Sequence, residues 1–133
     1  MNIIMTGATS FVGAATVREL LRRGHTVTAI ARPASSKLGT ILDGNEEALL
    51  SGRLLVTEND LSEPEQLLEK VTKPQDVFCH FGWGGSGSAS RTDRALQEKI
   101  WRSPWRRSGL RRHWDVKSSC SPDPRQNTEC TGI

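Results

Sequence analysis

A glycine-bearing segment near the amino terminus, TGATSFVG at residues 6–13, has the composition of a site that binds phosphate. It follows the apolar run Ile3-Ile4-Met5 and leads directly into a helical pattern of apolar residues. The start of a helix offers backbone N–H groups without intrahelical acceptors, together with a partial positive charge. Glycine in the preceding turn lets the backbone approach a ligand closely. The segment therefore predicts a phosphate site, and the alternative is a structural turn that binds nothing.

Four short apolar segments are predicted to be the strands that position this site, at residues 2–6, 25–31, 53–57 and 76–81. Helices are predicted at residues 11–23, 45–50, 63–71 and 91–99, with Gly24 ending the first and Ser62 capping the third. The connections are long enough for crossovers, so the strands should be parallel in an α/β sheet. The fourth strand should lie on the other side of the first from the second and third. The crevice at that reversal would then adjoin residues 7–13.

Charge divides the chain of 133 residues into two parts. Residues 1–99 contain 11 Lys and Arg against 12 Asp and Glu, whereas residues 100–133 contain 7 against 3. The net charge of +3 thus arises in the carboxyl-terminal part, which is weak support for nucleic-acid binding by the rest. The first apolar run is too short for a signal peptide, and no stretch has membrane-spanning length. Three cysteines without metal-type spacing favour a cytoplasmic protein with no metal site.

Three segments in this order resemble the N-terminal part of the NAD(P)-dependent epimerase/dehydratase family, the extended short-chain dehydrogenase/reductases. They are residues 6–13, Asp60-Leu61 and His80-Phe81-Gly82-Trp83. The resemblance covers residues 1–99 and implies a Rossmann-like doubly wound parallel sheet, truncated at about four strands. It also implies NAD or NADP as cofactor, bound by the following residues: Gly7, Thr9, Ser10, Phe11, Val12, Gly13, Arg32, Asp60, Leu61, Phe81, Gly82 and Trp83.

Ser10 is a departure from the family pattern, which has three glycines in this loop. Gly7 would make the tight turn, and Gly13 would let the helix pack closely. Ser10, at the middle position, could donate its hydroxyl to a phosphate oxygen, although its Cβ reduces the close approach of backbone to ligand.

Arg32 follows the second predicted strand, where the chain meets the adenosine ribose. An acid there would accept a hydrogen bond from the 2′-hydroxyl of NAD, whereas arginine suits the 2′-phosphate of NADP. No acid lies between His25 and Leu42, so NADP is favoured over NAD. The alternative is a solvated surface arginine.

The other matching residues carry further expectations. The resemblance implies that Asp60 accepts from the adenine amino group while Leu61 packs on the ring, and Asp60 could equally be a turn residue. Phe81 and Gly82 would line the cofactor, and Trp83 either shapes a substrate wall or covers the sheet. His80 and Cys79, within an apolar strand, are interpreted as packing residues.

The catalytic residues of the family are missing. Its acid/base is a tyrosine with a lysine four residues later, and this chain contains no tyrosine. Residues 100–133, rich in Arg, Trp, Ser and Pro, are predicted to be a disordered basic tail or a nucleic-acid-contacting arm. A third hypothesis is translation in the wrong frame, because suitable synonymous codons for residues 101–129 can be re-read one frame over as a family-like helix, strand and Ser-Gly-Ser…Tyr-Gly turn. The encoding DNA would test it.

The sequence thus predicts the cofactor-binding part of an epimerase, dehydratase or reductase, without catalytic residues. The parent chemistry would be hydride transfer on a sugar nucleotide or a small carbonyl or hydroxyl compound, with that substrate bound only in a full-length relative. The alternative is a non-catalytic dinucleotide-binding sensor or scaffold. An exposed flank of the fourth strand would leave the fold marginal.

Overall fold

The computed structural model describes residues 1–60, 62–82 and 95, and the backbone of residues 118–120. The strands are β1 (Asn2–Thr6), β2 (Thr26–Ala31), β3 (Leu54–Glu58), β4 (Val77–His80) and β5 (Ser118–Cys120). The helices are α1 (Phe11–Arg22), α2 (Gly39–Leu42), α3 (Glu46–Leu50) and α4 (Pro64–Lys70).

The strands form one parallel sheet in the order β3-β2-β1-β4-β5. β1 lies at its centre, with Ile4 opposite Thr28 of β2 and Phe78 of β4. The expected reversal of strand order beside β1 is confirmed, as is the doubly wound α/β class. Because β1 pairs on both sides, the loop that follows it lies at the crevice between the two halves of the sheet.

Apolar side chains alternate between the two faces of the sheet, as buried parallel strands require. On one face, Ile3 and Met5 pack in a cluster with Val17 and Leu21 of α1. On the other face, Ile4 packs with residues of α4 and of the segment that follows it. The two clusters fix α1 and α4 on opposite faces, so the loops at the helix starts meet at the carboxyl edge of the strands.

Helix α1 begins and ends as the sequence predicts, with its last residue at Arg22 and its C-cap at Arg23. Gly24 follows with a φ of +84°, and its N–H donates to the Leu21 carbonyl at 3.0 Å. The left-handed conformation suits glycine and ends the helix.

The predicted cap of the third helix is wrong. The N-cap of α4 is Glu63, and no side chain caps it. The Ser62 hydroxyl instead donates to Asp60 Oδ1 at 2.6 Å, since a serine two residues after an aspartate can close a local turn.

Two elements were not predicted from the sequence. Helix α2 is a single turn within the connection after β2. Strand β5 pairs in parallel with Val77–Cys79 of β4, so the expectation of an uncovered flank on β4 is wrong. The helix predicted at residues 91–99 lies outside the described residues except for residue 95. None of the described helices combines the length and apolarity needed to cross a membrane.

Candidate functional site

The carboxyl ends of four strands converge on one edge of the sheet. Register places Thr6 of β1 beside Ile30 of β2 and His80 of β4, and Ala31 beside Glu58 of β3. The segments that follow these ends carry most of the predicted site residues, at positions 7–13, 32, 60, 81 and 82. The parallel topology therefore brings them together. Leu61 and Trp83 lie outside the described residues.

Gly7 occupies a position that only glycine fits. Its φ is +71°, and a Cβ there would lie 2.5 Å from the Phe81 carbonyl carbon and 2.6 Å from the Gly82 nitrogen. The close approach is fixed by the Phe81 N–H, which donates to the Thr6 carbonyl at 3.0 Å. The end of β4 thus runs against the turn after β1, as the tight-turn role of Gly7 requires.

Gly13 is buried in the first turn of α1 and also lacks room for a side chain. A Cβ there would overlap the Gly7 carbonyl oxygen and lie 2.9 Å from Ala8 Cα. The helix therefore starts in direct contact with the loop, which is the close packing predicted for this residue.

Ser10 is the N-cap of α1. Its Oγ accepts from the Gly13 N–H at 3.0 Å and donates to the Gly7 carbonyl at 2.8 Å. The hydroxyl that was expected to reach a phosphate is engaged within the loop here, because a serine at an N-cap satisfies an otherwise unpaired helical N–H.

Two backbone N–H groups at the start of α1 have no acceptor within the ranges that the structure describes. In the described part of the chain, neither the Phe11 nor the Val12 N–H donates to an acceptor. Both residues are exposed, Phe11 by 93% and Val12 by 57%. Adjacent unpaired N–H groups at the positive end of a helix are suited to an anion, and phosphate is the usual one at such positions.

Arg32 and Asp60 lie at neighbouring strand ends. The Asn59 N–H donates to the Ala31 carbonyl at 2.9 Å, so the residues that follow, Asp60 and Arg32, extend side by side beyond the sheet. The Ser62 hydroxyl, the Ser62 N–H and the Arg32 charge hold the pKa of Asp60 below its ordinary value. Asp60 is therefore ionised at neutral pH, and Arg32 is the cation beside it.

Asn59 and Lys70 are the residues of this edge that the sequence patterns missed. Asn59 is fully buried and its amide bonds to the backbone on both sides of the turn. The Lys70 ammonium donates to Asn59 Oδ1 at 3.1 Å and to the Glu58 carbonyl at 2.7 Å. The Asn-Asp pair after a strand marked a turn, but nothing in the sequence indicated a lysine 11 residues away as its partner.

His80 and Cys79 fit the packing roles predicted for them. The His80 ring stacks on that of Phe78, and its Nδ1 lies 2.5 Å from the hydroxyl of the buried Thr6. Cys79 is buried in the same strand. Among the described residues, no three His, Cys, Asp or Glu side chains come close enough to hold a metal ion.

Comparison with protein families identifies a match that covers most of the chain. The model of the NAD dependent epimerase/dehydratase family matches residues 3–102. Among curated proteins, D-erythronate dehydrogenase of Cupriavidus necator is 32% identical over 90 residues, covering 67% of this chain and 28% of that protein. The chloroplastic divinyl chlorophyllide a 8-vinyl-reductase of Oryza sativa subsp. indica is 57% identical over 38 residues, covering 29% of this chain and 9% of that protein.

Solved structures show the same fold. A UDP-galactose 4-epimerase superimposes with a TM-score of 0.66 at 17% identity, covering 91% of this chain and 37% of that one. The UDP-glucose 4-epimerase of Thermus thermophilus, solved with NAD, has a TM-score of 0.66 at 18% identity, covering 97% and 42%. This chain thus spans less than half the length of each of these relatives.

Proposed function

The chain belongs to the NAD dependent epimerase/dehydratase family, and we propose that its carboxyl edge binds NADP, or NAD, through residues 7–13, 32, 60, 81 and 82. The observation that carries the proposal is the turn at Gly7, where a backbone without Cβ lies against β4 and leads to two unpaired amides. Leu61 and Trp83 belong to the proposal through the family resemblance.

The pyrophosphate fits at the start of α1. The N–H groups of Phe11 and Val12 are the available donors, and the helix dipole favours the negative charge there. Gly7 and Gly13 leave the loop without side chains that would fill this space. Thr9 and Ser10 lie between them and contribute their backbone to the same curve.

Arg32 favours NADP as the cofactor. Its guanidinium stands at the end of β2, where the ribose of a dinucleotide on α1 would lie, and arginine pairs well with a phosphate. The NAD named in the family's description and in the neighbouring structure is the second choice.

The chain's own part in the chemistry is to bind and orient. A bound nicotinamide supplies hydride exchange, which in longer relatives would act on a sugar nucleotide or on a small hydroxyl or carbonyl compound. The chain offers no tyrosine phenol to hold or move a proton. We therefore propose that this chain binds the cofactor without turnover. We also propose a cytoplasmic setting, which the three cysteines without metal-type spacing favour.

A non-catalytic dinucleotide sensor or scaffold is the second candidate. The observation that favours it is the same lack of tyrosine beside an intact glycine turn. Both candidates predict that this chain binds the cofactor without turnover when it is alone. Supplying the catalytic part of a longer relative distinguishes them: the first candidate then supports oxidation or reduction of a substrate, whereas a sensor or scaffold does not.

Calorimetric titration of the full chain with NADPH and with NADH tests the proposal. We expect both to bind, NADPH more tightly, and Gly7→Ala to weaken binding at least about tenfold, a loss of about 1.4 kcal/mol. Gly24→Ala is the matched control. It places the same side chain at a positive φ, but its Cβ would meet nothing within 4 Å and it lies away from the site.

The titration has one outcome that supports a nucleotide site at Gly7 and one that refutes it. Retained binding in Gly24→Ala with loss in Gly7→Ala supports the site, provided that circular dichroism shows both variants folded. Failure of the folded, unsubstituted chain to bind either nucleotide would refute the proposal.

A further inference from the structure

Asn59 is buried at the carboxyl edge, and its backbone N–H and both ends of its side-chain amide are hydrogen-bonded. Its N–H donates to the Ala31 carbonyl at 2.9 Å, and its Nδ2 donates to the carbonyls of Asp60 at 2.9 Å and Glu63 at 3.0 Å. Its Oδ1 accepts from Lys70 at 3.1 Å. A buried amide with all its partners satisfied holds the backbone around it in one conformation.

The turn that Asn59 stabilises contains the charged residue Asp60. Asp60 Oδ1 accepts from the Ser62 N–H at 2.7 Å and from the Ser62 hydroxyl at 2.6 Å. Asp60 is thus fixed from two sides, through its backbone by Asn59 and through its side chain by Ser62. Its carboxylate is exposed, and so it is available to act on its surroundings.

Arg32 is a cation whose charge acts on Asp60. Asn59 joins the end of β3 to Ala31, the residue before Arg32, so the carboxylate and the guanidinium extend from adjacent backbones. The positive charge of Arg32 helps to lower the pKa of Asp60, although less than the two hydrogen bonds from Ser62 do. By reciprocity, the negative charge of Asp60 reduces the attraction of Arg32 for another anion.

We infer that Asn59 is a positioning residue that holds the Asp60 carboxylate beside Arg32, and that this carboxylate weakens the preference of the site for a 2′-phosphorylated nucleotide. The inference rests on the proposed function and deepens it. Arg32 alone would select strongly for the phosphate, whereas Arg32 beside Asp60 leaves room for both nucleotides.

The test compares two probes of the adenosine end, adenosine 2′,5′-bisphosphate and 5′-AMP, by calorimetry on the full chain. We expect Asp60→Asn to raise the affinity ratio of bisphosphate to monophosphate by about three- to tenfold, with a smaller effect in high salt. Glu69→Gln is the matched control, because it removes the same charge from an exposed residue of α4. Its ratio should change less than about twofold.

A double-mutant cycle tests the positioning role of Asn59. Asn59→Ala should raise the ratio in the wild-type background, since a released turn lets the carboxylate leave Arg32, and should not raise it further in Asp60→Asn. A purely structural residue would weaken both probes alike in either background. Should Asn59→Ala fail to fold, Asn59→Ser, which keeps a side-chain donor, takes its place in the cycle.

The outcomes separate this inference from the function on which it rests. Binding of both probes with a ratio that Asp60→Asn leaves unchanged would overturn the inference and leave the proposed function standing. Failure of the unsubstituted chain to bind NADPH, NADH or either probe would overturn both.

Discussion

Through its hydroxyl, Ser10 caps helix α1 and also closes the preceding loop, and glycine could do neither. As N-cap, its Oγ satisfies the Gly13 N–H and bonds back to the Gly7 carbonyl, which closes the loop on itself. The same bonds occupy an amide and a hydroxyl that would otherwise face an anion. The residue thus stabilises the start of α1 at some expense to ligand binding.

Substitutions at Ser10 should separate its effect on the stability of α1 from its effect on nucleotide binding. Ser10→Ala removes the cap and keeps the Cβ, so we expect the free energy of unfolding to fall by about 1 kcal/mol. Ser10→Gly restores the third glycine, costs only a few tenths of a kcal/mol and frees the Gly13 N–H, so NADPH should bind more tightly. Urea unfolding and calorimetry measure the two effects, and tighter binding by Ser10→Ala than by Ser10→Gly would contradict this division.

At this scale the sequence indicates residues whose placement follows from topology. Gly7, Arg32 and Asp60 each lie just after a strand end, and parallel strands present those ends at one edge. Gly13 lies in the first turn of α1, against the Gly7 carbonyl. The patterns miss the partners of Asn59, because hydrogen bonds between distant side chains leave no periodicity. The sequence patterns also predict a Ser10 hydroxyl available to a phosphate, whereas in the folded loop this hydroxyl bonds to Gly7 and Gly13.

The end of α1 shows how one element stabilises another. Arg53, just before β3, donates from Nη1 to the Leu21 carbonyl at 3.0 Å, in a partly buried contact. Its N–H also donates to the Ala48 carbonyl at the end of α3. The Leu21 carbonyl already accepts from the Gly24 N–H, so Arg53 adds a second, charged donor and interacts favourably with the helix dipole.

We expect Arg53→Met to lower the free energy of unfolding by about 1–2 kcal/mol, because a carbonyl loses its charged donor. Arg22→Met is the control. Arg22 pairs with Glu19 at 2.8 Å, and that pairing helps to lower the Glu19 pKa to about 2, but both groups are solvent-exposed and screened. Its loss should leave the free energy of unfolding nearly unchanged. Urea unfolding compares the two variants, and equal losses would show that the contact to Leu21 adds nothing.

Elements with a strong pattern are predicted well and short ones are not. β1 and α1 follow from an apolar run and a 3.6-residue period ended by glycine. α2 has four residues, and long-range contacts place it: the Thr40 hydroxyl lies 3.4 Å from the Thr9 carbonyl, and Arg18 donates to the Thr40 carbonyl. The prediction that Ser62 caps α4 is wrong because Asp60, two residues earlier, competes for its hydroxyl.

The molecule as a whole joins two dissimilar parts. The family match ends at residue 102, close to where the charge of the chain becomes basic. Yet β5, at residues 118–120, extends the sheet from the basic part. Its sequence, Ser-Ser-Cys, has no apolar alternation, so the pairing comes from the backbone groups that the edge of β4 offers.

Proline substitutions in β5 should reveal whether this pairing stabilises the whole chain. Consecutive amides of a strand point to opposite sides, so either Ser118→Pro or Ser119→Pro removes an N–H directed at β4. We expect one of the two to lower the free energy of unfolding by about 1 kcal/mol or more and to speed amide exchange at Val77–Cys79. The other, whose amide faces away from β4, is the internal control. If neither differs from the parent chain in urea unfolding and hydrogen exchange, the pairing of β5 with β4 adds nothing to the stability of the fold.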